Sequence, residues 1–285
     1  MGVKMYSKII INTLLVLLVC SAINSAFAAP GILQVVTRPG FWANDFPDRI
    51  IYLQHYYNYS ADFNTPTGDV DFEQNLSLTR FFKPWHFGEE DQYQFIALLA
   101  IPAVDIEIDH DHFARGIADP LTYTSFGWND VNKEHHIQVF TITRYPVGNS
   151  DLSAEAFAIM PGLAYERRWG NWMWDLSTGY WIEFERRGAD SAKGQNFWEV
   201  NSALTYRTKS GLSLYVQGDY KNTGESEILG VKQNNDGDNF GAAIGAGYWL
   251  TQRLQLDAKL YKDISSDNEA TDNGKSLNIR LAYVF

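Results

Sequence analysis

The chain has 285 residues, one cysteine, 15% aromatic residues and a formal net charge of −11. The acidity excludes bulk attraction to nucleic acid, and a single cysteine, Cys20, excludes an intramolecular disulfide framework. Beyond residue 28 no run of 18 apolar residues occurs, which excludes a later transmembrane helix and leaves a soluble β-protein or a membrane-spanning barrel.

At the start of the chain Lys4 and Lys8 precede the apolar run IIINTLLVLLVCSAI, and SAFAAP follows. A basic start, a short apolar core and the small-x-small site Ala26-Phe27-Ala28 predict a secretory signal peptide over residues 1–28. A retained anchor is the alternative, but the apolar core is short for a span. A lipoprotein reading of Cys20 is weakened by bulky Val19. Removal of the leader leaves a chain without cysteine, bound for a compartment where disulfides are permitted but unused. Residues 29–48 show no periodicity and are expected as a periplasmic lead or a lumen segment. The remainder, residues 49–285, is expected to be one all-β domain.

Strands are readable near Ile51–Phe63, Val70–Phe82, Tyr93–Val104, Leu121–Trp128, Ile137–Tyr145 and Phe157–Arg167, with six more downstream. The later ones alternate cleanly. Trp172, Trp174, Leu176, Thr178, Tyr180, Ile182 and Phe184 oppose Asp175, Ser177, Gly179, Glu183 and Glu185. Trp198 to Tyr206 opposes Phe197, Glu199, Asn201, Ala203 and Thr205. Leu212 to Tyr220 opposes Ser213, Tyr215, Gln217, Asp219 and Lys221. Phe240, Ala242, Ile244, Ala246 and Tyr248 oppose a face of glycines with Asn239 and Ala243. Period two over about ten residues is the length a tilted strand needs to cross a bilayer. In two strands, Trp198–Tyr206 and Phe240–Tyr248, aromatics stand at both ends of the apolar face with small or aliphatic residues between, the girdle pattern of an outer-membrane barrel. Links also alternate. RRWGN, TKSG and LTQR are tight, whereas RRGADSAKGQ, NTGESEILGVKQNNDGD and DISSDNEATDNGK are long and polar. The predicted fold is therefore a transmembrane antiparallel β-barrel of about 12 strands, short turns periplasmic, with the loops around Ala189, Gln233 and Ala270 outside the cell.

The final stretch SLNIRLAYVF fits this scheme. Leu277, Ile279, Leu281, Tyr283 and Phe285 face outer-membrane lipid, and Ser276, Asn278 and Arg280 face the lumen, where a charge is tolerated in water or in a pair. Alternation makes Asp175, Glu183, Glu185, Glu199, Tyr215, Asp219, Asp257, Lys259, Tyr261 and Arg280 the pore-lining candidates. Glu183, Glu185, Glu199 and Asp219 form an expected acidic mouth. Asp257, Lys259 and Arg280 form a mid-depth constriction, with Lys259 and Arg280 cross-strand neighbours within two residues of register and Asp257 and Glu183 the nearest acids. Trp181, Tyr215 and Tyr261 suit an aromatic solute or simply fill space. A barrel of this size admits either an open pathway or a lumen plugged by paired charges.

Other constellations carry less. DHDHF places His110 and His112 beside Asp109 and Asp111 in an expected extracellular loop, where two histidines at i, i+2 suit a divalent metal or a solvated surface. Adjacent His135 and His136 point to opposite faces of a strand. The His-x-Ser pair of barrel lipid hydrolases is missing, since the residues two beyond each histidine are Tyr57, Gly88, His112, Ala114, Ile137 and Gln138. A non-enzymatic barrel without cofactor is expected.

From about Gly116 to Phe285 the chain resembles the outer-membrane MetA-pathway of phenol degradation, or SphA-like, transporter family. The resemblance rests on GIADPLTYTSFGW, TRYPVGNSD, GLSLYVQGDY and NGKSLNIRLAYVF. It implies a barrel in the outer membrane of a Gram-negative bacterium that admits small hydrophobic or aromatic solutes. A terminal Phe285 further resembles the aromatic signal read by the barrel-assembly machinery. The expected function is passive passage of small molecules; the alternative is a structural or adhesive barrel whose loops bind partners.

Overall fold

The computed structural model describes residues 47–65, 68–149, 152–185, 193–228, 231–232, 236–266 and 272–285. The expected signal peptide, most of the 29–48 segment, and Ala189, Gln233 and Ala270 lie outside the described residues. Fifteen strands follow in chain order: β1 Ile51–Thr65, β2 Gly68–Phe87, β3 Tyr93–Ile108, β4 Asp111–Ile117, β5 Leu121–Asn129, β6 His135–Arg144, β7 Ala158–Trp169, β8 Trp172–Glu183, β9 Phe197–Arg207, β10 Leu212–Thr223, β11 Glu227–Ile228, β12 Val231–Lys232, β13 Gly237–Trp249, β14 Leu254–Ser266 and β15 Asp272–Val284.

Every wall strand pairs antiparallel with its neighbours, and the wall closes because β1 pairs with both β2 and β15 while β2 also pairs with β3. β4 and β5 share β3 as partner. β5 pairs with Tyr93–Ala100 and β4 with Ala103–Ile108, so the two form one wall position interrupted at Ala118-Asp119-Pro120. The result is a closed barrel of 12 wall positions. β11 and β12 form a small hairpin outside it. A closed wall satisfies every ladder group internally, which is the condition for spanning lipid with strands.

The face assignment follows the alternation. Ile244 is 61% exposed and its neighbour Ala243 5%. Leu277 and Ile279 are exposed, whereas Asn278 and Arg280 are buried. Outward aromatics touch one another at both ends of the wall. Trp172 meets Tyr206 at 4.9 Å and Tyr283 meets Phe285 at 5.2 Å on the short-turn side; Phe157 meets Phe184 at 5.7 Å on the other. An apolar outward belt between aromatic rims places the barrel in an outer membrane.

Two expectations need correction. The DHDHF stretch is not an open loop. Asp109 and His110 form a tight turn with φ of 51° and 67°, and Asp111 and His112 already belong to β4. The histidines reach different carboxylates, His110 to Asp71 at 3.7 Å and His112 to Asp105 at 3.1 Å. Finally, β2 runs to Phe87, five residues beyond its expected end.

Candidate functional site

The inward face of β13 explains how the lumen is filled. Gly241 and Gly245 lie under the rings of Tyr261 and Tyr215, and a Cβ at either glycine would collide with the ring above it. Bare backbone therefore lets two tyrosines from flanking strands lie across the wall. Tyr261 Oη donates to Asp263 Oδ1 at 2.6 Å, and Tyr59 Oη donates to Asp263 Oδ2 at 3.1 Å from β1. Tyr215 Oη donates to Asp257 Oδ1 at 2.9 Å.

Asp257 anchors a mid-depth charged cluster. It stands directly opposite Arg280 in the β14–β15 register, and Lys259 stands opposite Asn278. Lys259 and Arg280 are thus diagonal neighbours, two residues out of register. Arg280 Nη2 is 3.6 Å from Asp257 Oδ2. His55 continues the cluster onto β1, with Nε2 2.8 Å from Asn278 Oδ1, and Arg80 on β2 approaches His55 Nδ1 at 3.4 Å. Lys259 lies in the fields of Asp219 and Asp257. Asp219 accepts from Asn201 and, at 3.1 Å, from Gln217. Three basic side chains, Arg80, Lys259 and Arg280, thus gather around two acidic ones, all buried. In so dry a setting each charge needs its partners held in place.

Nearer the long-loop end is a second cluster. Arg144 Nη2 donates to Glu183 Oε2 at 2.5 Å, and its guanidinium lies over Trp181 at 5.3 Å. Trp181 stacks on Phe197 at 5.7 Å with planes 13° apart. Lys221 Nζ lies over Phe197 at 4.5 Å, and Lys221 faces Glu199 across the β9–β10 register. Cation, indole, phenyl and cation therefore form a continuous inward ladder across four strands.

The connection between β6 and β7 meets this ladder at Arg144, whose Nη2 also donates to Ala156 O at 3.3 Å. Asp119, buried in the break between β4 and β5, accepts hydrogen bonds from Gly148 N at 2.9 Å, Ser153 Oγ at 2.7 Å and Ala154 N at 2.9 Å. Arg144 Nε lies 3.9 Å from the same carboxylate. Asn149 Oδ1 accepts from Ile117 N at 2.7 Å, and Asn149 N donates to Ile117 O at 2.8 Å. Gly148 and Gly116 permit this approach. A Cβ at Gly148 would sit 2.7 Å from the Ala118 backbone, and one at Gly116 2.6 Å from Asn149 Oδ1. Leu152, Ala154 and Ala156 are buried, and Leu152 packs into the same inward apolar cluster as Leu121 and Ile142. The connection is a strap clamped inside the mouth.

Of the ten expected pore-lining residues, Asp175, Glu183, Glu199, Tyr215, Asp219, Asp257, Lys259, Tyr261 and Arg280 are inward and buried. Glu185 is not on the wall: it lies beyond the end of β8 and is exposed. Glu183 does not answer the Lys259–Arg280 pair but is committed to Arg144, and Asp219 stands in its place. Asp175 sits apart at the short-turn end, opposite Glu166 in register, and Glu166 accepts from Arg168 Nε at 2.5 Å. Sequence reading missed Arg80, His55, Arg144 and Phe197 as cluster members. The first three were accessible to the alternation that found Arg280. Asp119 and Asn149 sit inside GIADPLTYTSFGW and TRYPVGNSD, but nothing in either stretch announces that they meet.

Similar solved structures share this architecture. The COG4313 outer membrane channel from Pseudomonas putida F1 superposes with a TM-score of 0.77 at 18% identity, covering 87% of this chain and 100% of that one. The translocator domain of autotransporter NalP from Neisseria meningitidis gives 0.57 at 11% identity, covering 93% and 97%. The transport unit of autotransporter AIDA-I from Escherichia coli gives 0.52 at 10% identity, covering 92% and 99%. At these identities the likeness is one of fold, and that fold serves both channels and translocators. No curated protein matches the sequence. Residues 54–281 match the family described as "Putative MetA-pathway of phenol degradation", and the chain belongs to that family.

Proposed function

We propose that the protein is a passive outer-membrane channel for small organic solutes carrying an aromatic ring. The observation that carries this reading is the inward ladder Arg144–Trp181–Phe197–Lys221 above the Arg80–Lys259–Arg280 cluster. Stacked rings flanked by cations offer successive, individually weak contacts to a ring with a polar substituent, which is what conduction through a narrow lumen requires. The family description refers to phenol degradation, and the similar Pseudomonas putida structure is described as a channel, both in keeping with this reading. Because the inward side chains are buried against one another, passage requires some of them to move, and the strap on Asp119 is the segment we propose to gate that movement. Phe285, with its ring exposed and its N–H donated to Ile50 O at 3.2 Å, is the proposed contact for the assembly machinery.

The test is swelling of proteoliposomes with phenol-like, benzoate-like and sugar solutes of matched size, together with planar-bilayer conductance. Faster uptake of the ring solutes than of the sugars supports the proposal; no conductance and no uptake of any solute rejects it. The filled lumen favours the second reading, a non-conducting barrel that acts through its loops, and that outcome would select it.

A further inference from the structure

The lipid belt is interrupted on one side of the barrel. Between the outward aromatics Tyr52, Tyr56 and Phe81, several outward residues of β1 and β2 are polar where the next strands carry apolar ones. Gln54 lies between Leu281 and Thr79, and Thr79 next to Ile101; Asn58 lies between Leu277 and Asn75. These groups bond to one another. Gln54 Nε2 donates to Ser77 Oγ at 2.8 Å, Thr79 Oγ1 donates to Gln54 Oε1 at 2.9 Å, and Asn58 Nδ2 donates to Glu73 Oε1 at 2.8 Å and Asn75 Oδ1 at 3.0 Å. A glutamine two residues inside the Tyr52–Tyr283 aromatic rim is unfavourable against hydrocarbon even when bonded to neighbours.

One row of the wall carries a further pattern. Reading across five strands in register, the outward residues are Lys262, Lys275, Ser60, Glu73 and Glu107. Both flanking pairs are like charges directly opposite each other, an arrangement that destabilises an isolated sheet. The row is antisymmetric about Ser60, basic on one side and acidic on the other. Rotating the barrel by half a turn about an axis beside β1, parallel to the membrane normal, brings β14–β15 of one copy against β2–β3 of a second. Each lysine pair then meets a glutamate pair. Strand tilt offsets residues of one register row in depth in proportion to the number of strands between them, so Lys275 and Glu73, two strands apart, form the nearer pair.

We propose that the outward face centred on β1 is a two-fold interface with a second copy of this chain, Lys262 and Lys275 of each copy facing Glu73 and Glu107 of the other, with Gln54, Asn58 and Ser77 between. An isologous contact requires a self-complementary patch, and this row supplies one. The choice of a second copy over lipid rests on that sign reversal. An anionic lipid headgroup would satisfy the lysines but be repelled by the glutamates two strands away. The inference does not depend on what the lumen passes.

The test uses the full chain in outer membranes and, purified, native mass spectrometry in mild detergent. Tyr56, outward and 44% exposed on β1, is replaced in Tyr56→Cys; the sequence beyond Cys20 has no other cysteine. Tyr56→Cys is expected to form a disulfide dimer at least tenfold faster than Leu163→Cys on β7, on the opposite wall. Lys262→Glu with Lys275→Glu should lower dimer affinity at least tenfold, and adding Glu73→Lys with Glu107→Lys should restore it, because the reversed row is again self-complementary. Equal cross-linking at the two cysteine positions overturns the proposal. So does a lysine-reversed protein as dimeric as the parent, or a monomer carrying an anionic lipid that is lost with the lysines.

Discussion

Replacing Asp119 with alanine should unclamp the strap. The carboxylate accepts three hydrogen bonds from the connection, at 2.7 to 2.9 Å, from Gly148 N, Ser153 Oγ and Ala154 N. Hydrogen bonds to a charged group are worth about 1.5–3 kcal/mol each, but released amides regain water when the strap lifts, so the three do not add. A net loss of about 3 kcal/mol shifts the docked-to-undocked ratio on the order of 100-fold. Burial of Leu152 and the Asn149–Ile117 bonds remain, so the barrel wall itself should fold. Two assays read the effect. Amide exchange at Gly148 and Ala154 should accelerate by about that factor, and single-channel records should show larger or more frequent openings. Asp119→Asn, which keeps one acceptor oxygen, should fall between. Unchanged exchange at both amides in Asp119→Ala would refute the clamp, and altered exchange with unchanged conductance would show that the strap does not limit passage.

Other expectations are as direct. Ile244→Arg should cost about 2–4 kcal/mol in reversible unfolding from lipid, because a cation would replace a lipid-facing side chain in the belt, while Ile244→Leu should be near neutral. Ala243→Arg is no mild counterpart: the neighbouring glycines are covered by Tyr215 and Tyr261, and overpacking should cost about 1–3 kcal/mol or more. Lys259→Gln with Arg280→Gln should move the reversal potential in a salt gradient toward cation preference, only partway because Arg80 stays; an unmoved reversal potential in a conducting pore would remove this cluster as the selectivity element. A protease site inserted at Gln233 should be cut on intact cells, and cutting only after the outer membrane is broken would invert the topology.

The sequence by itself determined the wall. Period-two alternation decides which face of each strand meets lipid, because a slip of one residue would send Arg280 and Lys259 into hydrocarbon and Leu277 and Leu260 into the lumen. Strand number and the inward orientation of nine of the ten candidates were legible on that ground, whereas the closing pair β1 and β15 came from the structure. Glu185 was not, since alternation carries no mark of where a strand leaves the wall. Partnership across the lumen was decided only by the tertiary structure. Arg144 and Glu183 belong to strands separated by β7, and Tyr59 and Asp263 lie 204 residues apart. Depth read from turns could place Glu183 near the mouth but could not choose Arg144 over Lys259 as its partner. The clamp of Asp119 on the 145–157 connection was equally hidden, because it depends on a break in one strand lying beside a loop from another. Alternation is a local property set by backbone geometry and one solvent boundary. Pairing inside a closed wall depends on stagger and closure accumulated over all twelve positions, which no single segment encodes.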